Sequence, residues 1–87
     1  MIEQIKPEWE QLIHEAIDLA IEERKLNERI EGMKRKLYKE FKHFPHNLNH
    51  QFVDSKGNKI LIAKINYNQI HVIMNDKNDK NIAWRTF

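Results

Sequence analysis

Residues 7 to 43 carry apolar side chains at alternating intervals of three and four, the spacing that places them on one face of a helix. Counting from Trp9, nine positions fall in this series, and only Glu23 is not apolar. The series comprises Trp9, Leu12, Ala16, Leu19, Glu23, Leu26, Ile30, Met33 and Leu37. Pro7 suits the first helical position, and the proline at 45 disfavours helix at Phe44. The pattern predicts an amphipathic helix over 7–43 with an apolar seam.

A single helix over this range would be roughly 55 Å long at 1.5 Å per residue, well above the average length in globular domains. The alternative is a helical hairpin in which residues 8–23 fold against residues 26–43. Asn27 and Gly32 are the candidate hinge positions, since neither is a strong helix former. The pattern leaves both arrangements open.

Beyond Pro45 the repeat of apolar positions shortens to two, which is typical of strands. The predicted strands are 50–54, 59–66, 69–75 and 81–86. Gly57 is free to take positive φ in the first turn. One face of the second strand carries Leu61, Ala63, Ile65 and Tyr67, and the opposite face carries Ile60 and Ile62. Trp84 is expected in the core or at a sheet edge.

These elements predict an α+β fold, a long N-terminal amphipathic helix or helical hairpin followed by a three- to four-stranded antiparallel β-meander. We expect one domain over 1–87, with a helical part at 7–43 and the meander at 50–87. The sheet needs cover on one face, and the helix seam is the available apolar surface.

Charge divides the helical stretch into two blocks. Residues 1–23 carry a net charge of −6 and residues 24–42 carry +5, whereas the whole chain carries +2. An antiparallel neighbour sets the acidic half beside the basic half. That neighbour is either a second copy or the chain doubling back. Because 87 residues bury a modest core, we predict an antiparallel homodimer. Its seam would comprise Trp9, Leu12, Leu19, Leu26, Ile30, Met33 and Leu37.

The remaining composition narrows the chemistry. There is no cysteine, so disulfides and thiolate metal sites are excluded. No apolar run approaches the ~18 residues of a membrane span, and Glu3 stands where a basic signal region would be. We therefore expect a cytoplasmic protein without a cofactor. His43, His46 and His50 are weak candidates for a metal site, against a polar connector as the alternative.

Five basic residues of the helix are the predicted contacts for a partner, either an acidic protein or a nucleoprotein. They are Arg29, Lys34, Arg35, Lys36 and Lys39. The same residues would neutralise phosphates in a nucleic acid. Pairing with the acidic half of a neighbouring helix would make them less available.

The sheet face opposite the core is predicted to bring together Lys64, His71 and Arg85. This set would supply an acid or base and the cations that stabilise the transition state of a metal-independent ribonuclease. The order of helices and strands, with Arg85 and an aromatic on the last strand, resembles the RelE/ParE-type toxin superfamily over residues 40–87. The resemblance implies a small ribonuclease.

A second resemblance lies in the helical stretch. It rests on Glu8, Trp9, Leu12, Ile13, Glu15, Ala16, Ile21, Leu26 and Ile30. These residues look like the Sin-type anti-repressor domain, which implies a helical hairpin that pairs with a like domain.

Our first functional prediction is a non-enzymatic, dimeric inhibitor or adaptor that sterically blocks a partner, of the kind found in phages and mobile elements. The alternative is a nucleic-acid-binding regulator using the basic helix face. The second alternative is the toxin-like ribonuclease. No residue is assigned a catalytic role under the first prediction.

Overall fold

The computed structural model describes residues 3–22, 27–46, 48–66 and 69–87, which form two helices and a five-stranded mixed sheet. The elements are β1 (Glu3–Gln4), α1 (Pro7–Glu22), α2 (Asn27–Glu40), β2 (Asn49–Val53), β3 (Lys59–Asn66), β4 (Gln69–Asn75) and β5 (Asn81–Thr86). The predicted α+β class is confirmed. The predictions for Glu23, Leu26 and Tyr67 lie outside the described residues.

The two helices pack side by side, so the straight helix over 7–43 is wrong. The Trp9 and Phe41 rings are 4.9 Å apart, whereas one continuous helix would separate them by about 48 Å. A hinge at Gly32 is also wrong, because α2 runs through it. The helices are antiparallel: Leu12 shares a cleft with Lys39 near the end of α2, whereas Leu19, further along α1, shares one with Arg29 near the start of α2. Their connection falls on 23–26, outside the described residues.

The sheet order is β1-β2-β3-β4-β5, and its last four strands form the predicted antiparallel meander. The pattern does not predict the first strand, which has only two residues and so shows no alternation. β1 pairs parallel to β2, with Glu3 opposite Phe52. The expectation of a three- to four-stranded, wholly antiparallel sheet is therefore wrong at this edge. Gly57 has a φ of 84°, as its turn requires.

Both helices cover the same face of the sheet. The core beneath them takes Phe52 from β2, Ile60 and Ile62 from β3, Ile70, Val72 and Met74 from β4, and Phe87 after β5. Most of the helix seam is buried in this core. Leu12, Ala16, Leu19, Met33 and Leu37 are all buried there, and Trp9 and Ile30 pack against it. The described part of the seam is thus packed within one chain rather than against a second copy.

Candidate functional site

The sheet face away from the helices carries a row of apolar side chains. Strand pairing sets Leu61 of β3 opposite Ile73 of β4, and Ile73 opposite Trp84 of β5. Leu61 and Ile73 are half-buried, while Trp84 is 59% exposed. Trp84 is therefore not in the core but on an edge strand of the sheet, which was the other of its two predicted locations. We call Leu61, Ile73 and Trp84 the open-face row.

Polar side chains border the open-face row. The neighbouring row of paired residues contains Asn49, Ala63, His71 and Thr86. His71 shares a hydrogen bond of 2.8 Å between its Nδ1 and the Thr86 hydroxyl, and its ring centroid is 5.4 Å from that of Trp84. An apolar centre with a polar border is typical of protein-binding surfaces.

A groove runs along the outer side of β5. It has a volume of about 730 Å³ and is lined by all six residues of β5 together with Ala20 and Ile21 of α1. Ile21, Ile82 and Trp84 on its walls are large apolar residues exposed by 58%, 40% and 59%. Arg85 also lines the groove, and its buried Nε has no hydrogen-bond partner among the described residues.

The five basic residues of the predicted partner contact do not form one surface. Arg29 and Lys36 line a cleft with Glu15 and Asp18 of α1, and Lys39 lies with Lys36 in the adjoining cleft beside Glu8. The chain doubling back on itself thus sets the acidic block of α1 beside the basic block of α2, as the charge pattern predicted for a neighbour.

The other two basic residues lie elsewhere on α2. Lys34 places its ammonium 5.9 Å from the ring centroid of Tyr38, and Arg35 is exposed. Burial raises the pKa of the Tyr38 phenol, whose oxygen is buried without a hydrogen-bond partner in the described structure.

The three candidate metal-binding histidines do not converge. His43 is exposed, and the backbone of His46 forms an isolated parallel β-bridge with that of Lys64 in β3. The His50 ring instead packs against Phe44 at 4.1 Å between centroids. Within the ranges that the structure describes, no group of three or more His, Asp or Glu residues could hold a metal ion.

The predicted convergence of Lys64, His71 and Arg85 is wrong. His71 lies on the open face, whereas Arg85 is opposite Val72 on the helix-covered face. Lys64 is buried, and its ammonium donates a 3.0 Å hydrogen bond to the carbonyl of Lys42, just beyond α2. A cation near a helix C-terminus stabilises the unpaired carbonyls there, so Lys64 has a structural role.

The most extensive polar cluster joins α1 to the turn between β2 and β3. Both Asp54 carboxylate oxygens accept hydrogen bonds, one from the amides of Lys56 and Asn58, the other from His14 and the Asn58 side chain, each at 2.9 Å. Glu10 accepts two further bonds from Ser55. Burial by itself would raise the pKa of Asp54, but these hydrogen bonds outweigh it and lower that pKa.

Sequence reasoning missed both the Asp54 cluster and the groove beside β5. The Asp-Ser-Lys-Gly-Asn turn is typical of a carboxylate that accepts hydrogen bonds from its own backbone, but no local pattern indicates the contribution of His14, because its partner lies forty positions away. The groove depends on α1 ending beside β5, which no local pattern reports.

The fold is thus that of a two-layer α+β domain, with two helices on one face of a mixed sheet and the other face open. Comparisons with protein-family models, curated protein sequences and solved structures found no match for the chain. The likenesses to the anti-repressor domain and to the toxin superfamily remain expectations from pattern. Neither helix of the described residues is both long and apolar enough to cross a membrane.

Proposed function

We propose that this chain is a non-enzymatic, homodimeric protein that binds another protein and acts as an inhibitor or adaptor. Its mechanism is steric, because the bound domain covers a working surface of the partner. The observation that carries the proposal is the open-face row, which spans three adjacent strands on the face that the helices leave uncovered.

The shape and chemistry of this face favour a macromolecule. A sheet face is broad and nearly flat, so it offers a small molecule little enclosure. Large apolar side chains that lie together on a surface, half-buried like Leu61 and Ile73 or exposed like Trp84, are typical of protein-interaction sites. Trp84 also belongs to a residue type that is enriched among the few residues that contribute most of the binding energy at interfaces.

The test is affinity capture from an extract of the organism that encodes the chain, with the parent and three variants as bait. Ile73→Lys and Leu61→Lys place a charge in the open-face row without changing any residue of β5. Leu48→Lys is the matched control, since Leu48 is 52% exposed but lies outside the strands. Circular dichroism checks that each variant is folded.

We expect the parent and Leu48→Lys to recover the same partner in equal amounts. The affinity of Ile73→Lys and of Leu61→Lys for that partner should be at least about tenfold lower, or about 1.4 kcal/mol. The purified partner must then bind the purified parent. Once bound, it must lose either its activity or its binding to another molecule, because the domain covers that surface. Equal recovery by all four baits would overturn the open face as the binding surface.

Nucleic-acid binding through α2 is the second candidate. It is favoured by five basic residues within one helix of 14 residues, of which Arg35 is exposed and lies outside the clefts shared with α1. It is weakened by the acids that border Arg29, Lys36 and Lys39. Recovery that disappears after nuclease treatment of the extract would support this candidate over the first.

A further inference from the structure

The strand β5 is an edge of the sheet, and in the described structure it has a neighbouring strand on one side only. Backbone groups along such an edge are available to pair with another strand. The opposite edge is β1, which has just two residues. The six-residue β5 is therefore the longer edge and offers more backbone for pairing.

The alternation of hydrogen bonds between β4 and β5 identifies the backbone groups of β5 that point away from the sheet. Ile70 and Phe87 exchange both N–H···O bonds, at 2.9 and 2.7 Å. In an antiparallel pair, hydrogen-bonded and non-hydrogen-bonded residue pairs alternate along the strands. The backbone of Arg85 therefore forms hydrogen bonds to β4, and the backbones of its two neighbours do not. The N–H and C=O of Trp84 and of Thr86 therefore point away from β4, into the groove.

The sequence of β5 guards this edge only in part. Natural sheets protect edges with lysine, proline, a bulge or an inward-pointing charge, and residues 81–86 contain neither lysine nor proline. The one inward-directed charge is Arg85, on the helix-covered face, and the register shift against β4 lies between Met74 and Asn75, beside the first residues of β5. Moreover, Ile21, Ile82 and Trp84 expose large apolar side chains along the same groove. The edge thus combines unpaired backbone with apolar surface.

We infer that this edge binds β5 of a second copy of the chain, antiparallel, about a two-fold axis at Trp84. This inference deepens the proposed function, on which it rests for the homodimer, and assigns the interface to β5 instead of the helix seam. A two-fold interface buries the same patch on both copies, so one contact covers Ile21, Ile82 and Trp84 of each.

Charge selects the register. An axis at Arg85 would set two guanidinium groups directly opposite each other on one face, which is destabilising. An axis at Trp84 sets Arg85 opposite Ala83 and Thr86 opposite Ile82. It also pairs the outward N–H and C=O of Trp84 with those of its counterpart. The net charge of +2 per chain adds little repulsion.

This pairing extends the surface of the proposed function. A two-fold axis normal to a continuous sheet keeps the helices of both copies on one side and the open faces on the other. The open-face rows then meet at the two Trp84 residues and form one apolar stripe across the dimer. A single strand pair buries less area than the ~1,200 Å² at the low end of stable interfaces, so we expect a dimer in the micromolar range.

The first test is sedimentation velocity from about 5 to 500 µM, a range that brackets a micromolar Kd. Thr86→Pro removes one outward N–H, whereas Thr86→Val keeps it; both lose the hydroxyl bonded to His71. We expect the parent and Thr86→Val to dimerise and Thr86→Pro to weaken the dimer at least about tenfold. Thermal unfolding confirms that both variants fold.

The second test concerns the register. The chain has no cysteine, so Trp84→Cys introduces a single thiol at the axis, where paired Cα atoms lie about 5.5 Å apart. We expect it to form an intermolecular disulfide under mild oxidation. Asn81→Cys, on the same strand but away from the axis, is the control that should not.

A parent that stays monomeric throughout, or a dimer that survives Thr86→Pro unchanged, would overturn the inference. So would a monomer that binds a foreign extended peptide at β5. Equal cross-linking of both cysteine variants would overturn the register. These outcomes are separate from those of the capture experiment, because Ile73→Lys and Leu61→Lys leave the β5 edge intact.

Discussion

The Nε2 of His14 donates a hydrogen bond of 2.9 Å to Oδ2 of Asp54, a carboxylate with 2% of its surface exposed. This bond ties the middle of α1 to the turn between β2 and β3. Since the pKa of Asp54 is lowered by the hydrogen bonds that it accepts, the charged form stabilises the folded state. The contribution is present at neutral pH and is lost as the pH falls through the lowered pKa, below about pH 4.

We therefore expect Asp54→Asn to lower the free energy of unfolding at pH 7 by about 2–4 kcal/mol. The difference from the parent should shrink as the pH falls below about 4. Urea unfolding followed by circular dichroism between about pH 7 and pH 2.5 measures both effects.

Asp79→Asn is the control for that experiment. Asp79 also accepts a hydrogen bond, from Lys59, but its side chain is 68% exposed. Its φ is 66°, which asparagine tolerates, so the change should stay within about 0.5 kcal/mol. Equal losses for the two variants would show that burial of Asp54 does not matter.

The two tryptophans should differ sharply in their contribution to stability. Trp9 contacts the rings of Phe41, Phe44 and Phe52 edge-on, at 4.9, 5.6 and 5.8 Å between centroids. Trp9→Ala should therefore cost about 2–4 kcal/mol. Trp84→Ala should cost less than about 1 kcal/mol, since that ring is exposed. Chemical unfolding at submicromolar concentration, below the micromolar range expected for the dimer, compares the two variants. A costlier Trp84→Ala would contradict the fold.

The two glycines give a test of opposite sign. Gly57 has φ of 84°, so Gly57→Ala should lose about 1 kcal/mol. Gly32 lies within α2, and a Cβ there would meet nothing within 4 Å. Gly32→Ala should thus gain about 0.5–1 kcal/mol. Thermal unfolding of both variants measures these opposite changes in stability. A destabilised Gly32→Ala would contradict a helix that runs through that position.

The neighbouring acids of α1 should prevent tight binding of nucleic acid by α2. We expect no mobility shift of mixed DNA or RNA at about 50 mM salt. Glu15→Gln and Asp18→Asn together should increase any residual binding, because they remove the charges that border Arg29 and Lys36. Tight binding by the parent that falls steeply toward about 200 mM would instead establish the second candidate function.

Local patterns were sufficient for the meander. The strand bounds 59–66, 69–75 and 81–86 match the prediction, and β2 begins and ends one residue earlier than expected. The turn at Gly57 was also correct. Each of these depends on period-two alternation and turn residues, which neighbours in sequence determine.

Contacts between distant segments could not be predicted in the same way. The helix seam has the same spacing whether it meets a second copy, α2 or the sheet. Both faces of β3 are apolar, so alternation did not show that Ile60 and Ile62 meet the helices while Leu61 stays open. The spacing alone is therefore compatible with the predicted dimer, although the chain buries most of the seam itself.

The parallel pairing of β1 with β2 has a consequence for the order of folding. The meander consists of contacts between consecutive strands, whereas the chain between Glu3 and its partner Phe52 contains both helices. Contacts that close long loops tend to form late. Mutations in β1 should therefore accelerate unfolding and leave the refolding rate nearly unchanged.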